Sequence, residues 1–118
     1  EYDWHSLPYP DNHFDFLFSD QVLEHVKYPW LAIKETHRIL KKGGIHICTT
    51  CSFNPVHNFP EDYWRFMKDG LAVLHEQFQI LHMHSWGSTD AITHLAQRKT
   101  REVTPETLLL AEQNEEDM

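Results

Sequence analysis

Between Phe14 and Thr50 two apolar runs flank one amphipathic stretch, and that order limits the fold more than any other feature of the chain. "FDFLFS", Phe14 to Ser19, is apolar and aromatic except for Asp15, and the turn cluster Pro8, Pro10, Asp11, Asn12 precedes it. It reads as a buried strand. In "PWLAIKETHRILKKGG", Trp30, Ile33, His37 and Leu40 recur at helical spacing. Pro29 suits the first helical position, and Lys41, Lys42, Gly43 and Gly44 supply cations and glycines at the end. "GIHICTT", Gly44 to Thr50, is β-branched and alternating, which predicts a second strand. A helix joining two strands this close in sequence is the βαβ crossover of a parallel sheet.

Beyond it, residues 51–59 form a loop broken by Asn54, Pro55 and Asn58. A second helix is expected over 68–77, with Leu71, Leu74 and Phe78 on one face, and "FQILHMH" predicts a third strand. Two further helices are expected, over 90–98 and 105–114, the second with Thr104 as N-cap and Pro105 at the first helical position. The expected division is a partial α/β domain over 1–100, then a C-terminal helix and acidic tail over 101–118.

Charge excludes some functions. The formal net charge is -8, and the ten Lys and Arg are scattered, so no stripe for tracking phosphates exists and nucleic acid is not an expected partner. No apolar run reaches the roughly 20 residues that span a bilayer, so no membrane is expected. Two cysteines make no disulfide framework, which fits a reducing compartment; the expected location is cytoplasmic.

"LPYPDNHFDFLFSDQVLEHV" followed by "AIKETHRILKKGG" resembles the central part of class I S-adenosylmethionine-dependent methyltransferases. The branch it resembles reads Leu-Pro-Phe-Pro-Asp, Phe-Asp, Leu-Glu-His and Glu-x-x-Arg-x-Leu-Lys-x-Gly-Gly. The agreement runs from Asp3 to about Thr50, and "HNFPEDYWRF" is similar, more loosely, to a segment after the fifth strand. The resemblance implies a Rossmann-like three-layer α/β sandwich, here partial, holding the later strands of a seven-stranded, mostly parallel sheet. It also implies S-adenosylmethionine as cofactor and a small molecule as methyl acceptor. The four glycines, at 43, 44, 70 and 87, form no G-x-G turn, and the chain opens with Glu1. The reading is therefore a C-terminal half without the glycine-rich first motif.

Site residues follow from the resemblance. Asp3 falls where a carboxylate accepts from the adenine amine, and the Trp4 backbone N–H beside it would meet a ring nitrogen; the alternative is an exposed Asp and a half-buried Trp. Ser19 and Asp20 end the first strand at the carboxyl edge, where open parallel sheets bind ligands, and are expected near the cofactor, or form an ordinary polar loop. An imidazole can accept and give a proton near neutral pH, so His25 is a candidate base, or else it braces its loop. His57, Tyr63 and Arg65 would line the acceptor pocket and orient an anionic or planar acceptor; alternatively the aromatics pack the next helix and Arg65 pairs with an acid.

Two other function classes compete. Cys48, Cys51 and His57, with His82 and His84, offer zinc-ligand types, but strand alternation turns Cys48 and Cys51 apart and no second cysteine pair exists, so no metal is expected. A non-catalytic methyltransferase-like module could instead bind a partner, or a second copy as a homodimer, through an exposed sheet edge.

Overall fold

The computed structural model describes residues 2–52, 61–85 and 91–99. Its elements are β1 (Phe14–Asp20), a 3₁₀ turn (Leu23–His25), α1 (Pro29–Ile39), β2 (Leu40–Cys51), α2 (Lys68–Leu74), β3 (Phe78–Ser85) and β4 (Ala91–Arg98). They build one four-stranded sheet in the order β1-β2-β4-β3, with β1 parallel to β2 and β4 antiparallel to both neighbours. The expected βαβ crossover is present as β1-α1-β2.

The sheet has two unlike faces. Leu17, His46, Cys48 and Ser19 point toward α1 and α2, where they join a core of Leu23, Ala32, Ile33, Leu40, Phe66, Leu71, Phe78 and Ala96. The opposite face of β1 carries Phe16 and Phe18, exposed at 64% and 62%. Since β1 is the terminal strand of the sheet, these two rings stand beside an unpaired edge among the described residues.

Of residues 90–98, expected as a helix, Ala91–Arg98 are instead the strand β4, wedged between β2 and β3. Ala, Leu, Gln and Arg favour a helix locally, but pairing on both sides satisfies every backbone group of a central strand, and tertiary context overrides propensity. The strand also delivers Arg98 beneath α1. There its guanidinium donates to the carbonyls of His37 (2.9 Å) and Leu40 (2.5 Å) and to Asn12 Oδ1 (2.8 Å). A cation on the last carbonyls of a helix satisfies groups that have no partner within it. The expected 105–114 helix lies outside the described residues.

Two boundaries also moved. α1 stops at Ile39, because Leu40 already has extended geometry (φ -78, ψ 140). The Lys-Lys-Gly-Gly run is therefore part of β2, where the register jumps from Phe14↔Leu40 to Phe16↔Ile45. Gly43 takes φ 84 in this bulge, and a Cβ on Gly44 would lie 2.8 Å from the Lys41 carbonyl. Neither position suits another residue. α2 ends at Leu74 rather than 77, and the next residues turn into β3.

One polar cluster ties the N-terminal segment down. Glu35 and Arg38 of α1 pair with each other (2.8 Å), Glu35 Oε2 accepts the Leu7 N–H (2.7 Å), and Arg38 donates to the carbonyls of Leu7 (3.1 Å) and Tyr9 (2.7 Å) and to Asp11 (2.9 Å). The backbone N–H groups of Asn12 and His13 then cap the carbonyls of Arg38 and Ile39. Thus "LPYPDN" and "ETHR" occur together because the second holds the first.

Candidate functional site

The carboxyl ends of β1 and β2 carry the site. Chain direction reverses after Asp20: Gln21 takes the left-handed φ of 56 and gives its N–H to the Thr49 carbonyl (2.7 Å). A non-glycine residue held in this region is strained and needs its surroundings to fix it. The 3₁₀ turn that follows presents Val22, His25 and Val26 to the N-terminal segment. Together with Tyr2, Asp3, Trp4 and His5 they line a cleft of about 270 Å³.

Asp3, Trp4 and His25 therefore line one cleft. Asp3 Oδ1 accepts from the His5 N–H (2.9 Å) and from His5 Nδ1 (2.8 Å), while His5 Nε2 accepts the Tyr28 N–H (3.0 Å). Because Nε2 is an acceptor, the proton of the neutral ring sits on Nδ1. The His5 backbone N–H, and then its ring, hold the Asp3 carboxyl below its ordinary value. It stays ionised at neutral pH, as an acceptor for an amine must. His25 Nδ1 contacts the Glu61 carbonyl. A carbonyl only accepts, so Nδ1 is the donor in this contact.

Ser19 does not turn its side chain toward this cleft. Its hydroxyl is buried and bonds His46 Nε2 (2.8 Å); His46 Nδ1 meets His75 Nε2 (2.9 Å), and His75 Nδ1 meets the Leu71 carbonyl (3.0 Å). Only the Ser19 backbone could face a ligand. Asp20 is exposed at the strand end. His57 lies outside the described residues. Tyr63 is 47% exposed and is held through its backbone N–H, which donates to the Glu24 carbonyl (2.8 Å). Arg65 is bound at both ends of its fork by Asp62 (2.5 and 2.7 Å), and the Asp62 side chain is 1% exposed. That pairing holds the Arg65 guanidinium above its usual range.

Sequence reasoning missed Glu24 as a structural centre. Its side chain is fully buried, accepting from Thr50 Oγ1 (3.2 Å) and Cys51 Sγ (2.8 Å), while its carbonyl holds Tyr63 and Trp64. A lone carboxylate inside the apolar run "VLEHV" was the available signal. It missed His5 too, although Asp-x-His is the spacing of a side-chain turn.

Cys48 and Cys51 are free and buried, and among the described residues no group of three ligands could hold a metal. Burial pushes both thiols up to about 12, and for Cys51 the Glu24 carboxylate adds to it. Thiolate is the reactive form. Iodoacetamide at pH 8 should therefore leave the native chain unlabelled and label it twice in urea; rapid native labelling would contradict this burial.

The residues present fit the adenine end of S-adenosylmethionine: an ionised carboxylate, an indole and a cleft open between them. The family model for a methyltransferase domain matches residues 1–48. Demethylmenaquinone methyltransferase of Geobacillus stearothermophilus is 34% identical over 62 residues, covering 52% of this chain and 26% of that protein. The chain thus spans about a quarter of the length of that relative. The [4+2]-cyclase SpnF shares the fold with a TM-score of 0.72 and 20% identity, over 85% of this chain and 55% of that one. The 1,6-didemethyltoxoflavin-N1-methyltransferase of Burkholderia thailandensis, with bound 1,6-didemethyltoxoflavin and S-adenosylhomocysteine, superposes with a TM-score of 0.65 at 14% identity, over 81% of this chain and 48% of that chain. Residues 1–48 match the methyltransferase-domain family, and the sheet they help to build has the Rossmann-like fold of solved methyltransferases.

Proposed function

We propose that this chain forms the adenine side of the cofactor site and one wall of the acceptor pocket in a methyltransferase acting on a small molecule in the cytoplasm. The observation that carries the reading is the meeting of Asp3, Trp4 and His25 in one cleft at the carboxyl edge of a parallel strand pair. Fold alone would not suffice, since a cyclase shares it.

S-adenosylmethionine, when bound, supplies an electrophilic methyl on a sulfonium, so the protein's part is to position the acceptor and take a proton. Asp3 would accept from the adenine amine and Trp4 would cover the ring. His25 would take the proton of a hydroxyl or amine acceptor. Because Asp62 occupies the fork of Arg65, the pocket suits a neutral planar acceptor better than an anionic one. His57, Tyr63 and the Ser19–Asp20 edge complete the proposed surroundings.

The test joins this chain to a glycine-rich N-terminal half taken from a relative and titrates S-adenosylmethionine calorimetrically. Binding is expected, weakened roughly tenfold by Asp3→Ala, which corresponds to about 1.4 kcal/mol. No binding to the joined chain would sink the enzyme reading. His25→Ala should spare cofactor affinity and lower methylation of a hydroxyl acceptor by about 10²-fold.

A second reading is favoured by Phe16 and Phe18: a non-catalytic module pairing through the β1 edge, with a second copy among its partners. Sedimentation of the unjoined chain distinguishes the two. A dimer abolished by Phe18→Lys supports edge pairing; a monomer at tens of micromolar, on the order of weak interface affinities, excludes the homodimer.

A further inference from the structure

Asp3 lines the cleft with a side chain that is 68% exposed. An exposed carboxylate loses rotamer freedom when it meets a ligand, and that loss weakens the contact unless the free protein already holds the group in place. One neighbour does so here. Asp3 Oδ1 accepts both the backbone N–H and the ring Nδ1 of His5, and among the described residues no hydrogen bond reaches Oδ2. The carboxylate therefore has one oxygen engaged and one to present.

His5 is itself fixed from behind. Its Nε2 accepts the N–H of Tyr28, the N-cap residue of α1, and its ring meets the Tyr28 ring edge to face at 5.6 Å. The helix cannot satisfy that N–H internally, so the imidazole serves the helix start and the carboxylate at once. Tyr28 is packed in turn against Trp30, with Lys27 Nζ 5.5 Å from its ring centroid. A relay thus runs from Asp3 through His5 to the start of α1, and it admits one neutral tautomer of the ring, with the proton on Nδ1. We propose that His5 is a positioning residue for ligand recognition: anchored on Tyr28, it presents Oδ2 of Asp3 to the ligand, so that the cleft selects a 6-aminopurine nucleoside over a 6-oxopurine one. A carboxylate accepts from an amine and repels a carbonyl oxygen, and a site built to pair with one group rejects the analogue that lacks it. The proposal rests on the adenine reading of the cleft.

Adenosine and inosine, titrated at millimolar concentration into the full chain and followed by NMR of the Trp4 indole, test it. Adenosine should bind about tenfold more tightly than inosine. His5→Ala should weaken adenosine about fivefold and inosine less than about twofold, and should add nothing in an Asp3→Ala background, since the two residues act through one contact. His5→Asn, whose side-chain amide can still donate to Asp3, should restore most of the loss. An equal loss for both nucleosides, or a loss that persists in the Asp3→Ala background, would overturn the positioning role; equal affinity of the wild-type chain for both would overturn the selection and leave a purine site. No shift with either nucleoside overturns the proposal as well, and calorimetry of the joined chain then decides the adenine reading separately. A second readout needs no ligand. Nitrogen-15 spectroscopy at pH 8 should find the His5 proton on Nδ1, a preference that Asp3→Ala relaxes; a proton on Nε2 would overturn the relay.

Discussion

Arg38→Ala should lower the urea midpoint of folding clearly, because one truncation removes several charge-assisted hydrogen bonds together. The side chain makes hydrogen bonds to two carboxylates and two backbone carbonyls at once, and it is 31% exposed while its partner Glu35 is 18% exposed. Truncation would strand a half-buried carboxylate and free the segment from Leu7 to Asp11 from α1. The pH dependence gives the same pair a second signature. Arg38, then the Leu7 N–H, hold the Glu35 carboxyl below its ordinary value. Its stabilising contribution is therefore complete above the unfolded value, about 4.3, and is lost as pH falls through the folded one. Urea titrations at pH 7, 5, 4 and 3 should show the wild-type chain losing stability across that acid window and Arg38→Ala losing less. Equal slopes would mean that the ion pair is ornamental.

His46→Leu should cost about 3 kcal/mol, by a different route. With both rings neutral the buried chain has one direction. The Leu71 carbonyl only accepts, so His75 donates from Nδ1, His46 donates from Nδ1 to His75 Nε2, and Ser19 donates to His46 Nε2. Leucine in the middle leaves the Ser19 hydroxyl and His75 Nε2 facing an apolar side chain. Removing the second ring as well takes away one of those stranded groups, so His46→Leu with His75→Leu should fall short of additivity by roughly 1 to 2 kcal/mol. Strict additivity in a urea double-mutant cycle would show that the two rings do not share a bond.

The βαβ unit was legible because its signals are local: the spacing of Trp30, Ile33 and His37 and the β-branched run after Gly44. β4 was not, because "AITHLAQR" becomes a strand through pairing with residues 45–51 and 78–85. The same division runs through the site. The motif agreement singled out Asp3, Trp4 and His25, and the fold lines one cleft with all three. It gave no hint that His5 would support Asp3 through Tyr28, or that Glu24 would meet Thr50 and Cys51, since those partners lie 23 to 27 positions away. Ser19 shows the limit from the other side: its place at the strand end was right, but side-chain direction depends on which face the helices cover.

The clamp of Glu35 and Arg38 on Leu7, Tyr9 and Asp11 also sets an order of events during synthesis. The clamp's contacts to those residues join positions 27 to 31 apart, so their loop must close before any of them can form. As the chain leaves the ribosome, the stretch from Leu7 to Asp11 waits for α1 to emerge and wind before this clamp can hold it. The cleft is thus completed after the helix that holds its neighbouring segment, and a pause in translation placed before residue 38 would leave that segment open to proteases.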